Sequence, residues 1–438
     1  MNFKKLIDLA LKEGATEAEL YYSTGKVVNV ETQRGNVGFA EESVSDGIGI
    51  RVIAGGALGY SSSNDPNKYE EAVSTAIACA KARGKDPFLK GLPKPKPYKS
   101  VSGVYDKRLA DLALDACIDT TDAMVSEAKK DKDISVTFGK FSSQSSETVI
   151  LSSNGIDATE RETAAYGYID VILKKGDQVS TAYDYDVSRA LDTDFSKIGS
   201  RAAELARSSL NAVSIESQSC NVLMGPQAFS DVMEGTLLFA INSESVQKGR
   251  SSLADKIGKK ISVEGLNMID DGLLEGGLGT SSFDDEGVPT QRTAIIEDGV
   301  LSTFIYDSYT AGKANRESTG NASRGTYMLS PKVGPHNVRF EYPRSDLIEE
   351  TEKGIYVNSI IGAHTANPIT GDFSVECRNS FVIKGGEKTK PIKSLMISGN
   401  AFEMLNKISG MGKDDRKMGA FVVPTVRISD VRVTRGSQ

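Results

Sequence analysis

This chain of 438 residues is short of several things: it holds two histidines, four cysteines and no tryptophan. The cysteines, Cys79, Cys117, Cys220 and Cys377, never stand at CxxC spacing. Such scattered thiols suit buried, reduced side chains better than a disulfide framework. His336 and His364 lie in unlike contexts, GPHNV and GAHTAN. They would share a metal only by converging in space, and each alone reads as structural. No window reaches the roughly 18 consecutive apolar residues that a membrane helix requires. Bases number 52 against 59 acids, a net charge of −7, whereas nonspecific nucleic-acid binding depends on clustered Lys and Arg. The opening MNFKKLIDLALKEGATEAE interrupts its apolar residues with acids, and no small-residue cleavage site follows, so it is not read as a signal peptide and a cytoplasmic protein is expected.

Common catalytic signatures are missing as well. GIGIRVIAGG is rich in glycine but lacks the GxGxxG order and a Walker lysine. KGRSS (248–252) contains serines without a GxSxG elbow to present one. The acid pairs Asp270-Asp271 and Asp284-Asp285 lack the DxDxDG spacing of a calcium loop and read as solvated turns.

What is present is a change of hydrophobic period along the chain. Phe3, Leu6, Ile7, Ala10 and Leu11 make a helical stripe stopped by Gly14. From Ala18 the period becomes two, and turn signals at Thr24-Gly25, Arg34-Gly35-Asn36, Ser45-Asp46-Gly47 and Gly55-Gly56 predict an antiparallel meander. Helices are predicted after Asn64-Asp65-Pro66, along Leu109 to Met124 and near Phe195 to Leu210, with strands between the last two. LPKPKPYKS (92–100) reads as an extended connector outside any core. After the polar stretch Asn211 to Ser219 come a short strand, a helix opened by Gly225-Pro226, and then mostly strands. Such a length exceeds one ordinary core. The expected fold is therefore α+β: an N-terminal antiparallel α+β domain over 1–211, then a mostly β C-terminal domain over 220–438.

One stretch organises the second half, SSFDDEGVPTQRTAIIEDGVLSTFIYDSYTAGKANRESTGNA (281–322). Apolar β-formers on either side of Asp298-Gly299 are a strong hairpin signal. The hairpin is entered through the acidic loop DDEGVPT and left through STGNA, and irregular loops of this kind are where sites tend to sit. DDEGVPT, EDGVL, STGNA and the later TGDFS (370–374) together resemble the TldD/PmbA family, once called modulators of DNA gyrase and regarded as intracellular metallopeptidases and their partner subunits. The likeness extends over essentially the whole chain in motif order.

The resemblance implies a zinc site built from HExxxH on a helix and a C-terminal cysteine, three donors around an ion that keeps one position open. Aligned on that pattern, the His, Glu and His positions hold Glu234, Gly235 and Phe239, and the Cys position holds Met418. Glycine and phenylalanine offer no ligand, and a thioether is a poor partner for zinc. The chain therefore resembles the PmbA-like (TldE-like) subunit, without a zinc site or other cofactor of its own. Its implied partners are a TldD-like zinc-bearing subunit or a second copy, and unfolded peptides as substrates. Peptide-groove candidates carried over from the family are Arg316, Ser318, Thr319, Gly320, Asn321 and Asp372. Two alternatives stay open: an autonomous peptidase using His336 or His364, and a homodimer that binds peptides or proteins without cleaving them.

Overall fold

The computed structural model describes residues 3–436. The first half runs α1 (Lys4–Lys12), β1 (Glu17–Gln33), β2 (Asn36–Ala54), β3 (Ala57–Ser63), α2 (Tyr69–Arg83), α3 (Lys107–Ala110), α4 (Leu114–Lys129), β4 (Ile134–Ser152), β5 (Asp157–Lys175), β6 (Gln178–Ser188) and α5 (Ser196–Ser208). Its six strands form one sheet in the order β3-β2-β1-β4-β5-β6. Every neighbouring pair is antiparallel. From Ala165 to Leu173 every second residue of β5 is buried, the pattern of a sheet with one face on a core. Leu6, Ile7, Val73 and Ile77 of α1 and α2 pack on β1 and β2. Met124, Ile198 and Ala202 of α4 and α5 pack on β4 to β6. One sheet thus backs two cores.

Two of the expected turns are not turns. Thr24-Gly25 and Ser45-Asp46-Gly47 lie inside β1 and β2, where Gly25 pairs with Ser45. Glycine is needed there for room, because a Cβ on Gly47 would meet the Tyr327 ring and one on Gly49 the Tyr327 carbonyl. The second half leans on β2 where side chains are missing. The connector 92–100 is irregular, yet Leu92 is buried. Tyr98 packs on Phe283 with ring centroids 5.3 Å apart and donates to the Gly287 carbonyl at 2.9 Å, so the connector joins a core after all. Of the four unpaired cysteines, Cys117 and Cys377 are buried and Cys220 half-buried, but Cys79 is exposed.

The second half continues with β7 (Gln218–Met224), α6 (Pro226–Ala240), α7 (Ser243–Gln247), β8 (Asn267–Asp271), β9 (Arg292–Glu297), β10 (Val300–Leu301), α8 (Ser308–Lys313), β11 (Ala322–Ser323), β12 (Lys332–Val333) and β13 (Val338–Glu341). It ends with β14 (Lys353–Ile361), β15 (Asp372–Lys384), β16 (Glu387–Ile392), β17 (Leu395–Asn400), α9 (Ala401–Leu405), β18 (Ile408–Met411), β19 (Arg416–Met418), β20 (Phe421–Val423) and β21 (Val426–Arg435). One sheet is ordered β10-β9-β8-β13-β20-β19. In the other, β14, β7, β21, β17 and β15 are successive neighbours, and β15 pairs back with β14 to close a ring. Helix α6 is predominantly apolar and buries Phe229, Val232, Met233 and Leu237 in the core that both sheets share. The expected hairpin is present, with Asp298 and Gly299 both at positive φ, as a two-residue turn that follows strand twist requires. The architecture is α+β as expected, an antiparallel N-terminal half followed by a mostly β half. Among the described residues no helix is long and apolar enough to cross a membrane.

Candidate functional site

The acidic loop turns on Gly287, whose φ of +73° is strained for any side-chain-bearing residue. Asp284 holds the loop from inside: its carboxylate accepts from the amides of Glu286, Val288 and Ala322, each at 2.9 Å. Glu286 accepts from Arg51 Nη1 at 2.5 Å and from the Ser308 amide at 2.9 Å. Arg51 also donates to Glu19 at 2.5 Å, and the other oxygen of Glu19 takes Arg324. Glu286–Arg51–Glu19–Arg324 is therefore a chain of four charges, none more than 8% exposed. Two come from each half, so the network joins the halves. Asp285 stays beside it, accepting from the Arg324 amide at 2.6 Å.

These carboxylates are not the solvated turns the sequence suggested. Asp284 and Glu286 are buried, as are Asp270 and Asp271, because each finds donors that isolated turns lack. Burial, with Glu286 beside it, pushes Asp284 well above the carboxylate range. Burial works the same way on Glu286, but Arg51 and Ser308 outweigh it and hold that group low. Asp307, facing Glu286, is raised by burial and then by that charge to about 6.

The segment 316–322 is mostly structural. Asn321 is 1% exposed and donates to Asp270 at 2.5 Å and to the Gly334 carbonyl at 2.9 Å. Thr319 donates to Asn321 at 2.6 Å, and Ser318 to the Tyr306 carbonyl at 3.0 Å. Gly320 is buried, and its carbonyl meets His336 Nε2 at 2.5 Å. These four face inward, against the expectation of a groove wall, because the loop is bonded to Tyr306, Asp270, Gly334 and His336 of neighbouring segments. Arg316 is exposed, 5.9 Å from the Tyr306 ring centroid. Asp372 is exposed and accepts from Thr370 at 2.7 Å and Asn400 at 2.9 Å, as a turn brace. His336 has both ring nitrogens against carbonyls, with Nδ1 3.0 Å from Gly279, so neither is free for a metal. His364 is exposed on the short turn Ala363–Thr365.

On α6, Glu234 is exposed while Gly235 and Phe239 are half-buried. Met418 is 3% exposed, its sulfur accepting from the Tyr185 hydroxyl. Among the described residues no three His, Cys, Asp or Glu side chains are grouped to hold a metal. Nearby is a residue that sequence reasoning passed over, Asp231. Burial and then Glu234, one turn on, push its carboxyl up to about 7. No side chain or amide among the described residues donates to it. The spacing Asp231-x-x-Glu234, the two acids of a mainly apolar helix, was the signal available. The face of β5 and β6 beside α6 carries Tyr166, Tyr168, Tyr183 and Tyr185, paired across the strands at 6.0 and 5.6 Å. Tyr183 accepts from Gln227 of α6 at 2.6 Å. Ser359 on β14 is buried with no partner for its hydroxyl among the described residues.

Comparison with known proteins covers the whole of this architecture. Residues 18–80, 62–210 and 217–435 match the models of PmbA/TldA metallopeptidase domain 1, central domain and C-terminal domain. An uncharacterized protein of Methanocaldococcus jannaschii is 33% identical over 431 residues, covering 97% of this chain and 98% of its own. The metalloprotease PmbA of Escherichia coli is 27% identical over 448 residues, 96% and 94% of the two chains. Among solved structures, TldE from Thermococcus kodakarensis superposes with a TM-score of 0.93 at 28% identity, covering 99% of both chains. A Thermotoga maritima protein described as a putative modulator of a DNA gyrase gives 0.91 at 25% identity, over 98% of this chain and 99% of that one.

Proposed function

The chain belongs to the PmbA/TldD metallopeptidase family, and from that premise we propose that it is the non-catalytic, TldE-like subunit of a peptidase whose zinc is carried by a TldD-like partner. The observation that carries this reading is the donor set at the expected metal position. Glu234 points a single carboxylate to solvent, Gly235 and Phe239 supply no donor, and the sulfur of Met418 is engaged by Tyr185. A hydrolytic zinc needs three converging donors and one open position. These residues do not fit it. The likeness in fold to TldE from Thermococcus kodakarensis supports the same reading.

What the chain contributes is a surface. Extended peptides bind by main-chain hydrogen bonds and by rings that accept many side chains, and the half-buried tyrosine face of β5 and β6 beside α6 supplies the rings. The assembly works in the cytoplasm, a reading supported by the four unpaired thiols.

The test is metal analysis and peptide cleavage by the purified chain, alone and mixed with a TldD-like subunit. Alone it should hold no stoichiometric zinc and leave an unstructured peptide intact, while the mixture should form a complex that cleaves the peptide until a chelator is added. About one zinc per chain, with chelator-sensitive cleavage by this chain alone, would sink the reading.

A further inference from the structure

A cavity of about 350 Å³ lies between the two halves, and the proposed function makes no use of it. Its floor is the end of the buried ion network. There Arg51 gives Nη1 to Glu286 and Nη2 to Glu19, its Nε having no partner among the described residues, and Glu286 is spent on Arg51 and Ser308. Asp307 gives one oxygen to the Thr310 amide and hydroxyl at 2.8 and 2.6 Å. Its other oxygen has no donor among the described residues. The walls include Leu58, Leu89, Leu92 and Pro331.

The mouth reverses the sign of the rest of the molecule. In a chain of net charge −7, Arg83, Lys90, Lys248, Lys313 and Lys332 surround this one opening, against Asp86 and Glu244. Lys248 is paired with Glu244 at 2.5 Å, and Lys313 stands 5.3 Å from the Phe88 ring centroid. Lys90 and Lys332 enter no ion pair among the described residues. A ring of like charges over a low-dielectric cavity concentrates counter-ions. Lysine binds phosphate as a point charge. A dianion gains from several such lysines at once, where a single carboxylate is satisfied by one or two. The volume lies in the range of small-molecule sites.

We propose that this interdomain cavity binds a small hydroxylated organic phosphate, with the phosphate among Lys90, Lys313 and Lys332 and a ligand hydroxyl donating to the free oxygen of Asp307. The proposal is independent of any peptidase role, since no residue of α6 or of the tyrosine face lines the cavity.

Calorimetric titration of the full chain at low ionic strength tests it, with glucose 6-phosphate, inorganic phosphate and glucuronate as the three probes. Glucose 6-phosphate should saturate one site per chain, and the other two should bind at least about tenfold more weakly, one lacking the body and the other the second charge. Lys90→Glu combined with Lys332→Glu should cost at least about tenfold in affinity with an unchanged melting temperature, as both side chains are exposed. Lys4→Glu, remote from the cavity, should change nothing. Equal affinity for all three probes would reduce the site to an anion-attracting patch and overturn the proposal. So would the absence of saturation below roughly 10 mM, or unaltered binding in the double variant.

Discussion

The loop around Glu286 carries buried acids and the helix around Asp231 a half-buried one, and the two are built in opposite ways. In the loop every carboxylate has partners: Asp284 accepts three amides, and Glu286 takes an arginine and an amide. On the helix, Asp231 has no donor among the described residues, and Glu234, Gly235 and Phe239 follow it. The loop's charges are a fastening, because its carboxylates are held by donors inside the protein, even though Arg51 Nε and Arg324 Nη1 have no partner among the described residues. A half-buried carboxylate beside tyrosines, with no protein donor among the described residues, keeps its hydrogen-bonding capacity open. The acid-rich loop is thus built as a scaffold, whereas the helix keeps a half-buried carboxylate without a protein donor among the described residues.

Cutting the fastening should have the largest effect. Arg51→Met strands Glu19 and Glu286 without their shared cation and is expected to destabilise the fold by about 3–5 kcal/mol, the usual result of breaking a buried pair from one side. Chemical denaturation measures it, and a loss below about 1 kcal/mol would mean that the network is dispensable. Next, Gly287→Val and Asn321→Ala should each cost about 1–3 kcal/mol. The first forces a β-branched residue to φ +73° with its Cβ against Ile156, and the second leaves Asp270 short of a donor. Arg316→Ala, at an exposed position, should stay within about 0.5 kcal/mol in the same melts. If Asn321→Ala melts like the parent and Arg316→Ala does not, the assignment of inward and outward residues on that segment is reversed.

The smallest effect belongs to the helix and depends on pH. The folded state holds the Asp231 carboxyl at about 7, above its ordinary value of 3.8. Between those values the folded protein keeps a proton that the unfolded chain has released, so this group's contribution to stability falls as pH rises through that window. Asp231→Asn should therefore melt later than the parent at pH 8, by an amount worth on the order of 1–2 kcal/mol, and alike at pH 4. A variant less stable than the parent at pH 8 would show that a partner holds the carboxylate charged.

Sequence pattern was enough for the hairpin at Asp298-Gly299, for α6 after Gly225-Pro226 and for the helix-strand alternation of the first half. Each depends on neighbours in the chain, where turn chemistry, period and side-chain identity are local properties. Position 287 was legible for the same reason, since a glycine in a tight acidic turn announces an unusual φ. Gly25 and Gly47 misled because glycine also marks close approach, and the group that approaches Gly47, Tyr327, is distant in sequence.

What the tertiary structure alone decided is which charges are buried. Glu19, Arg51, Glu286 and Arg324 are separated by as many as 305 residues along the chain, and nothing in their local sequence distinguishes them from solvated residues. The same holds for Asn321, a polar loop residue by pattern and a core residue by contact, and for the cavity whose walls come from both halves. Local sequence sets backbone shape and the kinds of side chain available. Desolvation is a property of the space around an atom, and that space is filled by whichever distant segment the fold brings there.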